Sequence, residues 1–296
     1  MNPQGMQQAV DYIKRAWQEM GLGDNIEEQV FNSSGELQSK NVIVSLGPKD
    51  AERIIIGAHY DTCAQGINVE EITNPGADDN ASAVAGLLET GRNLKEIEQD
   101  LFKKNLRVDL VAYANEEPPF YHTDKMGSYV HAKSLKDSGA KVRAMICYEM
   151  IGYFDEKENS QGYLDKAFRF FGTRLPFYLI PINWMLKKLY PSKGNFISVV
   201  GNWGSRKLAK QIDKTLKSLG KIDSKWLSMP SRALPMIEMS DQWSYWKHGF
   251  PAVMITDTSF LRNPNYHKAT DTPDTLNYKK MADVVDGVSR FIKNLK

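Results

Sequence analysis

The stretch that most constrains this chain is Arg53-Ile54-Ile55-Ile56-Gly57-Ala58, which is apolar after its first residue. It lacks the polar–apolar alternation of a strand with one wet face, so it reads as a strand covered on both sides. Such strands belong to sheets enclosed between helices. A second run, residues 106–114, reads the same way, and it delivers Asn115-Glu116-Glu117-Pro118-Pro119 at its end. Two adjacent carboxylates beyond a core strand are costly to bury unless something positive compensates them. Adjacent side chains on extended backbone point in different directions, so two such carboxylates can divide two roles.

The surrounding pattern alternates strands with helices. Asn2-Pro3 fits a cap followed by proline at the first helical position, and Val10, Ile13, Trp17 and Met20 continue at helical spacing. Strands are expected at 28–31, 41–46, 53–58, 106–114, 142–147, 196–200 and 251–256. Helices are expected after Asn80, at 126–137 and 207–219, at 240–249 in a short form, and at 277–295. The spacing predicts a three-layer α/β/α sandwich around a central mixed, mostly parallel sheet, its antiparallel pairs coming from the closely spaced early strands. At 296 residues without a repeat or linker, a single domain over 1–296 is the simplest organisation. Residues 168–190 mix aromatic and aliphatic side chains with Pro176 and Pro181, and they read as an ordered, aromatic-rich insertion.

Composition removes several function classes. A formal net charge of +2 with no Lys/Arg block gives no case for nucleic acid, and no apolar stretch approaches membrane-spanning length. Cys63 and Cys147 are too few for a disulfide framework and read as small buried thiols. No secretion signal follows Met1, so the expected location is cytoplasmic, or extracytoplasmic or membrane-anchored for a chain carrying an upstream segment.

Ligands of open α/β sheets sit beyond the carboxyl ends of the strands. Every unusual polar cluster falls at such an end: His59 and Asp61, Asp78 before the next helix, Glu116 and Glu117, Glu149, and Tyr266-His267. Imidazoles and carboxylates are zinc donors. Two histidines with three carboxylates exceed one open ion and suit two, about 3.5–4 Å apart, with one carboxylate bridging. Asp61, two residues after His59, is placed to accept the other ring proton of a metal-bound histidine.

These residues also carry a resemblance. Gly57-Ala58-His59-Tyr60-Asp61, Pro75-Gly76-Ala77-Asp78-Asp79-Asn80-Ala81-Ser82, Asn115-Glu116-Glu117, Glu149-Met150-Ile151-Gly152 and Tyr266-His267 resemble the zinc exopeptidase family of the secreted bacterial aminopeptidases. Glutamate carboxypeptidase, glutaminyl cyclase and the transferrin receptor ectodomain are more distant members. The resemblance implies two zinc ions per chain. His59, Asp78 and Glu149 would hold one, while Asp78, Glu117 and His267 would hold the other, with Asp78 as the bridge and the Asp78–Asp79 peptide cis. It implies Glu116 as the general base and Tyr266 as a stabiliser of the oxyanion. The chain departs from the family pattern at Glu149, where many relatives have aspartate, and at Gln242 of Ser240-Asp241-Gln242, where relatives often have histidine.

The function expected on this basis is removal of N-terminal residues from peptides with a free amino end. A single-zinc, glutaminyl cyclase-like acyltransferase and a carboxypeptidase are the alternatives, and a metal-free interaction module is disfavoured by the complete ligand set.

Overall fold

The computed structural model of the chain describes residues 2–35, 37–63 and 74–295. Most of the stretch between Asp61 and Asp78 falls outside them. In chain order the strands are β1 (Ile26–Ser34), β2 (Leu37–Leu46), β3 (Glu52–His59), β4 (Leu106–Tyr113), β5 (Val142–Glu149), β6 (Phe196–Asn202), β7 (Asp223–Met229) and β8 (Ala252–Thr256). They form one sheet in the order β1-β2-β4-β3-β5-β8-β6-β7.

Helices cover both faces. On one side lie α1 (Pro3–Glu19), α2 (Ala83–Glu96), α7 (Arg206–Leu219) and α9 (Tyr278–Asn294); α3 (Glu98–Lys103) leads into β4. On the other side lie α4 (Gly127–Asp137), α5 (Leu164–Phe170), α6 (Ile180–Leu189) and α8 (Gln242–Lys247). The continuous apolar character of β3 follows from this sandwich. Ile54, Ile56 and Ala58 pack with Trp17, Leu87 and Val288, whereas Ile55 enters the opposite core with Ala132, Leu135 and Tyr245. The α1 start is as expected, with the Asn2 side chain accepting from the Gly5 amide at 3.0 Å.

The centre of the sheet, β4-β3-β5-β8, is parallel, so its carboxyl ends share one edge. His59 stands beside Tyr113 and Glu149 beside Thr256 in this register. The β1–β2 and β2–β4 pairs are antiparallel, as the early strands predict. A further antiparallel pair, β6 with β8, and the edge strand β7 lie outside the sequence expectation. Strand β7, Asp-Ser-Lys-Trp-Leu-Ser-Met, is only partly covered and lacks the apolar run that marks a central strand. The aromatic-rich region resolves into α5 and α6. Pro181 sits in the first turn of α6, where a helix needs no internal amide donor.

Gly57 admits a close approach that supports the second core. A Cβ there would lie 2.2 Å from the Tyr113 ring, which crosses β3 at this point. The Tyr113 hydroxyl meets that of Tyr245 at 2.7 Å, and the Tyr245 hydroxyl lies 2.6 Å from His131 Nδ1. Burial pushes the His131 pKa down to about 4, so the ring stays neutral. In the unfolded chain His131 takes up a proton near pH ~6.5, while the native state takes it up only near 4. Its contribution is therefore complete above about pH 6.5 and is lost as pH falls to 4, up to ~3 kcal/mol. Urea unfolding at a series of pH values should give His131→Gln a shallower acid limb than the parent; parallel limbs would dismiss this assignment.

Candidate metal centre

Each polar side chain at the sheet edge is delivered by a specific backbone device. β3 ends on His59, whose Nδ1–H donates to the Asp61 carbonyl at 3.0 Å and leaves Nε2 facing inward. After β4 the chain turns through Asn115 in the left-handed region, φ 64°, a conformation asparagine tolerates better than most residues. Asn115 is fixed there by Ser39, Ser33 and the Lys125 carbonyl. The next two amides, of Glu116 and Glu117, donate to the Asp61 carboxylate at 3.1 and 3.0 Å. Asp61 thus sets the direction of the glutamate pair. Its carboxylate is 3.5 Å from His59 Nδ1, longer than the carbonyl contact, so orienting the imidazole falls mainly to its backbone oxygen.

Donor atoms of His59, Asp79 and Glu149 lie within 4.8 Å of one another, as do those of Cys63, Glu117 and His267. Asp79 faces both groups, with Oδ1 3.5 Å from His59 Nε2 and Oδ2 3.0 Å from His267 Nε2. Glu149 Oε2 is 3.3 Å from His59 Nε2 and accepts from the Ser240 hydroxyl at 2.7 Å. The longer side chain at position 149 therefore still reaches the basin. Glu116 Oε2 stands 3.9 Å from the same His59 nitrogen.

The structure corrects the expected bridge. Asp78 does not face the basin: its Oδ1 accepts from the Gly152 amide at 3.0 Å and its Oδ2 from the Asn263 amide group at 2.7 Å. Asp257 stands beside it, and burial raises both carboxyls, Asp78 to about 6. Residues 77–82 form an irregular helical turn broken at Asp79, φ −104° and ψ 88°, so the two neighbouring side chains diverge. Gly76 opens this turn at φ 62°, where a Cβ would strike the Thr62 hydroxyl and the Asp79 carbonyl. Asp271 holds the turn by accepting from the amides of Asp78 and Asp79 at 2.9 and 3.1 Å. The cis peptide is Asp79–Asn80, one residue later than the resemblance implies.

The donor set fits divalent zinc. His59 Nε2, His267 Nε2 and Glu117 Oε1 are buried without a well-directed hydrogen bond among the described residues. Burial raises the carboxyls of Asp79, Glu116 and Glu149. For His59 burial acts downward, yet the carboxylates of Glu149 and Glu116 outweigh it and hold the imidazole well up. Such a pocket is short of positive charge, which is what a cation supplies. Cys63 is half-buried and adds a sulfur donor to the second group, while Cys147 is a fully buried thiol.

The basin opens onto a cavity of about 240 Å³. Asp79, Glu116, Glu117, Glu149, Tyr266 and His267 line it together with apolar side chains that include Leu164, Leu186, Phe196, Val200 and Met254. Tyr266 stacks on His267, ring centroids 3.7 Å apart, and its burial pushes the phenol pKa well up, so the hydroxyl stays protonated. Gln242 does not line the cavity; it is fully buried and its Nε2 donates to the Ile237 carbonyl at 2.9 Å.

The sequence model of peptidase family M28 matches residues 41–173 and 187–292. The chain belongs to peptidase family M28. The Escherichia coli (strain K12) protein YfbL is 41% identical to it over 295 residues, covering 100% of this chain and 82% of that protein. Leucine aminopeptidase 1 of Arthroderma otae is 25% identical over 257 residues, and the match spans 86% of this chain but 57% of the fungal protein. Among solved structures, LapB from Legionella pneumophila superposes with a TM-score of 0.65 at 19% identity, covering 97% of this chain and 64% of LapB. A Bacteroides thetaiotaomicron glutaminyl cyclase gives 0.63 at 19% identity, covering 97% of this chain and 89% of the cyclase. At such identities the two structures establish the shared fold. Membership makes this chain a peptidase of a zinc-dependent family, with the α/β sandwich expected from its sequence.

In this M28 peptidase the residues that sequence reading missed are Asp79, Asp271, Asn263, Ser240 and Cys63. The pair Asp78-Asp79 signalled that one carboxylate was present, but not which side chain the broken turn would aim inward. The two can be separated by elemental analysis after zinc loading and dialysis. Asp79→Ala should lose bound zinc, whereas Asp78→Asn should keep it and unfold at a lower temperature. The opposite pattern would return the bridging role to Asp78.

Proposed function

We propose that this M28 peptidase is an aminopeptidase that works with two zinc ions. One would be held by His59, Asp79 and Glu149; the other by Asp79, Glu117 and His267, with Cys63 alongside. The observation that carries the reading is the cavity wall: the residues lining it include several carboxylates and, among the described residues, no lysine or arginine. A C-terminal carboxylate therefore meets no basic side chain on this wall to hold it, which argues against the carboxypeptidase alternative. The apolar remainder of the cavity suits a large, uncharged first side chain.

Zinc bound by these groups supplies Lewis acidity and lowers the pKa of a water molecule toward neutrality. The protein's own residues perform the proton transfers and positioning. Glu116 is fully buried within the basin, and burial raises its carboxyl well above the ordinary range while His59 opposes the shift. A carboxylate so placed accepts the proton of the attacking water and returns it to the departing amine. Asp61 holds the Glu116 amide and so fixes where that carboxylate points. The protonated Tyr266 hydroxyl, on the cavity wall beside His267, donates to the carbonyl oxygen as it becomes negative.

The glutaminyl cyclase-like reading uses one ion. The second donor group around His267, bridged by Asp79, gives it less support.

A panel of aminoacyl chromogenic amides and peptides with free or blocked amino ends tests the proposal. The expected result is release of the first residue from free amino ends alone, a preference for large apolar first residues, and loss on chelation. Cyclised product from N-terminal glutamine without hydrolysis would favour the acyltransferase. Glu116→Gln should keep its zinc and lower kcat by about 10²–10⁴-fold, and Tyr266→Phe should lower it by about 10²-fold. Wild-type turnover in Glu116→Gln would remove the assigned base.

A further inference from the structure

The segment that carries α5 and α6 has two faces with different chemistry. Leu164, Ala167, Leu179 and Leu186 are buried and tie it to the core, and Leu164 and Leu186 line the cavity. Its outer face is apolar and open to solvent. Phe177 is 83% exposed, Tyr178 65%, Trp184 63% and Leu189 64%, with Phe171 and Ile180 also exposed. So many exposed large apolar side chains within one short segment mark an interaction site. It also departs from the family pattern, because residues 174–186 fall in the gap between the two matched stretches of the M28 model.

Charge selects the partner. Between Leu164 and Tyr190 the sequence carries Lys166, Arg169, Arg174, Lys187 and Lys188 against a single acid, Asp165, which pairs with Lys187 at 2.9 Å. Lys188 lies over the Trp184 ring, 4.9 Å from its centroid. Aromatic and aliphatic side chains on one surface, interspersed with cations, match an anionic bilayer, where the rings enter the headgroup region and the cations meet lipid phosphates. A second copy docking by the same face would bring two basic surfaces together.

We propose that residues 170–189 dock this peptidase on an anionic phospholipid surface. The patch adjoins the active-site mouth: Phe170 stacks on Phe260 with centroids 4.7 Å apart and lies 5.8 Å from the Tyr266 ring. Docking therefore sets the cavity entrance close to the bilayer, where peptides lying at the lipid surface reach it first.

Co-sedimentation with vesicles of phosphatidylcholine alone, and of phosphatidylcholine with phosphatidylglycerol, tests this at low and high salt. The parent should pellet with the anionic vesicles, weaken as salt rises and ignore the neutral ones. The combined variant Phe177→Ser, Trp184→Ser, Leu189→Ser should lose pelleting while keeping the parent's melting temperature, because all three side chains are exposed. Arg174→Glu with Lys188→Glu should weaken binding by about tenfold or more. No pelleting of the parent, or undiminished pelleting of the triple variant, would overturn the proposal. Self-association in sedimentation velocity that disappears in the triple variant, without vesicle binding, would overturn it and give the face to a second copy.

Discussion

The structure depends on confining several carboxylates at the edge of a sheet whose two faces are packed with Ile, Val and Leu. Asp79, Glu116, Glu117 and Glu149 are buried within reach of two imidazoles, and in such surroundings like charges repel strongly. What holds them in place is a second tier of aspartates that bind backbone. Asp61 takes the amides of Glu116 and Glu117, Asp271 those of Asp78 and Asp79, and Asp257 those of Tyr153 and Ser259. Each carboxylate that accepts amide protons fixes the loop that aims a donor, so the basin is preorganised for a cation by groups that never enter it.

The parallel centre of the sheet supplies the geometry for this arrangement. Because β4, β3, β5 and β8 run in the same direction, their carboxyl ends open on one side, and loops from distant parts of the sequence converge there. His59 and His267 are more than two hundred residues apart in the chain, yet both approach Asp79. The segment bearing α5 and α6 then closes the apolar part of the cavity with its inner side and leaves its aromatic side outward. One short piece of chain thereby shapes both the recess and the surface next to it.

Much of the site was legible from local chemistry. His59, Glu116, Glu117, Glu149 and His267 each stand in the sequence as polar groups beyond an apolar strand, and the structure gathers all of them into one basin. The readings that changed involve directions that no periodicity encodes. Asp78 and Asp79 are adjacent in a turn with non-helical backbone at Asp79, so a single dihedral decides which of them faces the histidines. Cys63 looked like an ordinary core thiol because a lone cysteine carries no spacing signal. Strand β7 was missed because an edge strand with mixed polarity resembles a loop in sequence.

The sequence by itself determined the layered α/β architecture, through strands apolar on both faces, and the chemistry of the site, through the residue types placed after those strands. Only the tertiary structure decided which carboxylate faces both imidazoles, how Asp61 and Asp271 serve the backbone, and that Gln242 packs beneath the site instead of entering it. The physical reason is that burial and donor type are properties of a residue and its near neighbours, readable along the chain. Convergence within a few ångströms depends on loop dihedrals and on hydrogen bonds between segments distant in sequence, and those exist only once the sheet has formed.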